Sequence, residues 1–248
     1  MKHAYFIVIV AVVLGLAVAV MTIPTVLAND DDRDGPRLLD RNSVVYGRTS
    51  GEWAAEWWQW ALSIPTAIHP LFDRGDCSVG QSGPVWFLGG SFVSNTAVRS
   101  CAIPAGTYLY FPILNGEDSS LEESNGDGCS NPTFGGDTIV GVRKCAESYE
   151  NGAIVTAEID GVPIRNIAAK YRVQSPAYGF TLPDDNVFKA TTSPSHVYPK
   201  GTYFPSVNDG YYLMLAPLSA GTHVIHFHGV GGGGSFTLDV TYNLSVAK

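Results

Sequence analysis

Positive charge is scarce in this chain. Lys and Arg number 15 against 23 Asp and Glu, a formal net charge of −8, and the few cations are scattered. A nucleic-acid backbone or an anionic membrane surface would be repelled on average, which excludes nucleic acid as a partner. Familiar catalytic signatures are missing too. There is no GxSxG elbow, no HExxH, no P-loop and no dinucleotide fingerprint; "GQSG" has the wrong spacing, and "GGGG" reads as a hairpin tip. Cysteine is limited to Cys77, Cys101, Cys129 and Cys145, without the CxxC spacing of a zinc site. After the N-terminal apolar run no second one is long enough to cross a bilayer, and no internal repeat is visible.

That first run sits in "MKHAYFIVIVAVVLGLAVAVMTIPTVLA". Lys2 supplies a basic start, Ala4 to Val20 is uninterruptedly apolar, and Val26-Leu27-Ala28 offers a peptidase small or aliphatic residues. Residues 1–28 therefore read as a secretory signal peptide cleaved after Ala28, with no transmembrane segment left after cleavage. An uncleaved anchor is the alternative, because the run lies between the two length ranges. The chain is expected to be secreted or extracytoplasmic. There an even cysteine count means disulfides, and the sequence neighbours Cys77–Cys101 and Cys129–Cys145 are the expected pairs among the three connectivities that four cysteines allow. Residues 29–48 form an acidic N-terminal segment, and 49–248 are expected to be one domain.

"GEWAAEWWQW" (Gly51 to Trp60) holds four of the five tryptophans. Thr49 and Glu52 have capping-box spacing, and Pro65 stops a helix that reaches about Ser63. On a helical wheel Trp53, Trp57 and Trp60 share a stripe that matches a core-facing side. Trp58 lies on the adjoining stripe and is the candidate for an exposed ligand-stacking plate. Downstream come short segments rich in aromatic and β-branched residues: "PVWFLGG", "TYLYFPIL", "AIVTAEID", "YYLMLAPL", "THVIHFHG" and "SFTLDVTYNLSV". They are separated by turn signals, with Asp160-Gly161 as a two-residue hairpin. The pattern indicates a mainly β fold, an antiparallel β-sandwich of jelly-roll type with the Trp-rich helix at its N-terminal end. A further short helix is expected from about Thr138 to Tyr149, capped by Asp137. Asn115 to Asp137, acidic and Gly-rich, reads as a long loop.

"EWWQWALSIP", "CSVGQSGPVWFLGGSF", "CAIPAGTYLYFPILN" and "APLSAGTHVIHF" resemble segments of a group of secreted prokaryotic proteins described only as hypothetical. The resemblance covers most of the chain beyond the signal segment. It brings no activity, ligand or catalytic residue with it.

Three sets of side chains offer chemistry. In "HVIHFHG", His226 and His228 point to one face of a strand and His223 to the other, so the pair could present two imidazoles to a transition metal, with His196 or a carboxylate as third ligand. "IHFHG" is similar to one histidine motif of multicopper oxidases, whose other motifs are missing here. Asp30, Asp32, Asp34 and Gly35 have the spacing that opens a calcium loop, but Arg41 stands where the closing Glu belongs. The acidic stretch adds Glu117, Asp118, Glu122, Glu123, Asn125 and Asp127 as oxygen donors for calcium. Glu117 and Asp118, placed just past a strand, are also the candidate carboxylates of a hydrolase. No cofactor is required by any motif. The sequence thus favours a secreted or cell-surface, non-catalytic binding or structural protein directed at carbohydrate or another extracellular protein. The rivals are an extracellular polymer hydrolase using the acidic-loop carboxylates and a metal-dependent enzyme using His226 and His228.

Overall fold

Thr49 opens the first helix, α1 (Ser50–Ser63). Its Oγ1 accepts the Glu52 N–H, and the Glu52 carboxylate accepts the Thr49 N–H at 2.8 Å, closing the capping box. Ile64 turns to extended backbone ahead of Pro65, which ends the helix. The structure, a computed structural model, describes residues 35–126, 128–129 and 135–247. The signal segment 1–28, its cleavage site, Asp30, Asp32, Asp34 and Asp127 lie outside the described residues.

After α1 come β1 (Val85–Phe87), β2 (Asn95–Ile103), β3 (Tyr108–Ser119), α2 (Ser120–Asn125), α3 (Ile139–Tyr149), β4 (Ile154–Ile159), β5 (Val162–Pro163) and α4 (Ile167–Lys170). The chain continues through β6 (Arg172–Gln174), β7 (Tyr178–Leu182), α5 (Val187–Thr191), β8 (Gly201–Leu215), β9 (Gly221–Gly231) and β10 (Phe236–Val246). The first sheet runs β1-β3-β8-β6, with β7 also paired to β8; the second runs β2-β10-β9-β4-β5. Leu109, Phe111 and Leu213 of the first sheet pack on Ile225, Phe227 and Val240 of the second, and the Phe111 and Phe227 rings stack at 5.6 Å. The other face of the first sheet carries α1, whose tryptophans pack with Phe87, Tyr110, Tyr212 and Met214. The result is three layers, helix on sheet on sheet, with apolar residues buried at both boundaries. Ahead of α1, Leu38 bridges Leu215 and the Leu39 N–H donates to Met214 O. Among the described residues no helix is long and apolar enough to cross a membrane.

The fold is a mainly β sandwich, as the sequence indicates, but its sheets are mixed rather than wholly antiparallel. β1 runs parallel to β3, and β2 runs parallel to β10, which rules out an all-antiparallel jelly roll. Both disulfides, Cys77–Cys101 and Cys129–Cys145, are formed as expected. Asp160 and Gly161 both have positive φ, 51° and 75°, and close the two-residue hairpin between β4 and β5. Other expectations shift. The N-cap of α3 is Thr138, whose Oγ1 accepts the Gly141 N–H at 3.1 Å, not Asp137. Helices α2, α4 and α5 are additional to the single short one expected. The stretch read as a loop from Asn115 begins with the last five residues of β3, because β8 continues alongside it to the Ser119–Ser206 pair.

Candidate functional site

The extension of β3 carries acid into the interior. Asn115 pairs with Gly210 of β8, and Glu117 with Asn208. Successive strand residues face opposite sides, so Glu117 and Asp118 do not face a common substrate. Glu117 accepts from Ser206 Oγ and shares a hydrogen bond with Glu122, on the first turn of α2. Ser119 Oγ donates to Glu122 at 2.9 Å. Asp118 lies on the side of α3, beside Glu123 and the Cys145 sulfur. Glu150, the C-cap of α3, comes in from the end of that helix. Gly116 permits this approach: a Cβ there would lie 2.5 Å from the Tyr149 ring.

These carboxyls are buried, and burial is the main cause of their altered acidity. Glu117 and Glu122 are both pushed up, and each sits close enough to the other to share a proton. Asp118 is pushed up to about 9, by burial first and then by the charges of Glu117 and Glu123. Glu150 is pushed up to about 8 by burial and by Asp209, with Arg172 pulling it back. Asp209 itself is satisfied, accepting from Arg172 Nε and Gln174 Nε2 at 2.7 Å each. Among the described residues the Oε2 of Glu150 meets no hydrogen-bond donor, whereas the Asp118 carboxyl is met by the Glu123 side chain and the Ser119 backbone.

Two neighbouring cavities share lining residues here. The first, of about 300 Å³, is lined by Asn115, Glu117, Glu122, Tyr149, Glu150 and Phe236 among others. The second, of about 130 Å³, is walled by Trp57, Trp58 and Phe92. Leu114, Asn115 and Phe236 line both.

No protein-family model matches the chain, and no curated protein matches it. Similar solved structures include PbICP-C in complex with falcipain-2, at 11% identity over 66% of this chain and 99% of the other, TM-score 0.25. A cysteine protease inhibitor of Entamoeba histolytica is similar at 11% identity over 65% and 94%, TM-score 0.22. Amebosin is similar at 12% identity over 66% and 99%, TM-score 0.23. At such scores the likeness carries no argument about function, and the fold rests on the strand pairing described above.

The structure places the remaining candidates as follows. Trp58 is not an exposed plate; it is only 8% exposed, and its indole N–H donates to Tyr212 Oη at 3.1 Å. It does form a wall of the smaller cavity. His226 and His228 share the outer face of β9, and carboxylates already surround them. Asp239 lies 3.1 Å from His226 and 3.6 Å from His228, and Glu158 lies 3.7 Å from His226. Asp239 thus brings to both imidazoles the carboxylate that the sequence allowed as a third donor, and His196 is not part of the group. Among the described residues the one group of convergent donors is Asp118, Glu123 and Cys145, and the Cys145 sulfur is bonded to Cys129. Glu117 lines the acidic cavity, and Asp118 lies behind it. Sequence reasoning missed Glu150 and Tyr149, which sit at a helix end more than thirty residues along the chain from Glu117; the glycine within a strand at Gly116 was the available sign of a close approach.

Proposed function

We propose that this protein is a binding protein of the extracytoplasmic space whose ligand carries positive charge and occupies the acid-lined cavity. One observation carries the reading. Glu150 is 2% exposed, lines the cavity with Glu117 and Glu122, and holds an oxygen that no donor among the described residues reaches. A buried carboxyl without a partner is costly, and it is relieved either by a proton or by a cation. A cationic ligand exchanges those protons for a charge-assisted contact. The opposed directions of Glu117 and Asp118 favour binding over a hydrolytic pair, and the signal-like N-terminus supports the compartment.

Titration calorimetry with small ammonium and metal cations near neutral pH tests the reading. A saturable heat is expected, and Glu150→Gln should weaken it about tenfold or more, as for loss of one charge-assisted bond. A variant that binds every such cation as tightly as the native protein overturns it.

A further inference from the structure

We infer that the ligand is an organic ammonium with a short apolar arm, its charged head among Glu117, Glu122 and Glu150 and its arm in the aromatic cavity beside Trp58. The inference rests on the reading of the acid-lined cavity as a cation site and adds the chemistry of the cation.

A bare metal ion fits the cavity poorly. Calcium takes six to eight oxygens at about 2.3–2.6 Å, which demands ligand atoms within a few ångströms of one another. Glu117, Glu122 and Glu150 are not such a group; the convergent trio of Asp118, Glu123 and Cys145 lies to one side, with its sulfur already bonded. Acceptors set on several walls of a cavity of about 300 Å³ suit a head that donates several hydrogen bonds in different directions, as an ammonium does. Glu150 Oε2 waits without a donor. Asn115 gives its amide nitrogen to Tyr212 Oη at 2.9 Å, which leaves its carbonyl oxygen as the group it can offer.

The arm is assigned by what adjoins the acid. The second cavity has indole and phenyl walls, Trp57, Trp58 and Phe92, and shares Leu114, Asn115 and Phe236 with the first. Its volume of about 130 Å³ is close to the ~150 Å³ of an apolar cavity that admits benzene in another protein. It holds a phenyl or a small branched alkyl group. A neutral apolar ligand would leave the carboxyls unmatched, and a bare ammonium would leave the aromatic cavity unfilled.

Calorimetry with four probes tests the assignment: 2-phenylethylamine, methylamine, 2-phenylethanol and calcium chloride, against the native protein, Glu150→Gln and Phe92→Ala. Melting temperatures without ligand establish that each variant folds. The expected result is that 2-phenylethylamine binds at least about tenfold more tightly than methylamine, that 2-phenylethanol gives no saturable heat, that Glu150→Gln weakens both amines, and that Phe92→Ala brings the two amines towards equal affinity. Equal affinity of the two amines in the native protein, or stoichiometric calcium binding without amine binding, overturns the apolar arm and leaves the cation site standing, provided Glu150→Gln abolishes the signal. Silence from all three cations, or binding of 2-phenylethanol as tight as that of the amine, overturns the cation site as well.

Discussion

At the scale of single residues the molecule keeps neutral what water would ionise. Glu150 and Asp118 are pushed up to about 8 and about 9, whereas in the unfolded chain such groups titrate near pH 4. Above that pH the unfolded state gives up protons that the native state retains, so these carboxyls subtract stability as pH rises towards their folded values. Glu117 and Glu122, also raised, act in the same sense. Glu150 is faced by Asp209 of β8 and Arg172 of β6, which share a salt bridge of 2.7 Å. His69 works from the other side. Burial lowers it to about 4 although its hydrogen bond to Ala61 O pulls the other way, and it costs stability as pH falls below its ordinary range. The melting temperature should therefore peak near about pH 5–6 and drop by several degrees by about pH 8.5. Glu150→Gln should flatten the alkaline side. A melting temperature that holds constant across that interval would show that these groups ionise in the fold as freely as in water.

At the scale of the element, α1 is the clearest unit. Each of its four indoles is buried and each N–H is spent: Trp53 on Val45 O, Trp57 on Leu88 O, Trp58 on Tyr212 Oη and Trp60 on Val79 O. Trp57→Ala and Trp58→Ala should each cost about 3–5 kcal/mol, measured by chemical denaturation. A milder effect at Trp58 would mean that its cavity wall collapses into the space. Helix α1 was legible in the sequence because cap, periodicity and stop are local signals. Strand β2 was not. Its alternation is reversed at the centre: Arg99 points inward, its guanidinium meeting Gly89 O, Gly90 O, Tyr242 Oη and Asp73, while Val98 is 71% exposed. An apolar-in pattern search passes over such a strand. The acid site was half legible for a similar reason. The sequence pointed to Glu117 and Asp118, but acidic, glycine-containing residues read as loop, and only the long partner β8 makes them strand.

For the whole molecule, the first sheet is common to both cores, with α1 on one face and the second sheet on the other. Losing either boundary strips the shared sheet of half its cover, so the layers should unfold together. Trp53, Trp57, Trp58 and Trp60 report the helix side, whereas far-ultraviolet dichroism reports all three layers. The two denaturation curves should coincide, and separated midpoints would reveal a helix layer that melts alone. The parallel pairing of β2 with β10 bears on how the chain reaches this state. Ser94 and Thr237, at the mouth of that pair, are 143 residues apart, and contacts so distant along the chain slow folding. A chain emerging in order from a ribosome or an export channel would have β2 early and its neighbour late. For most of that passage the strand would present an open ladder to whatever is nearby, so a holding chaperone would act on the nascent chain at this strand first.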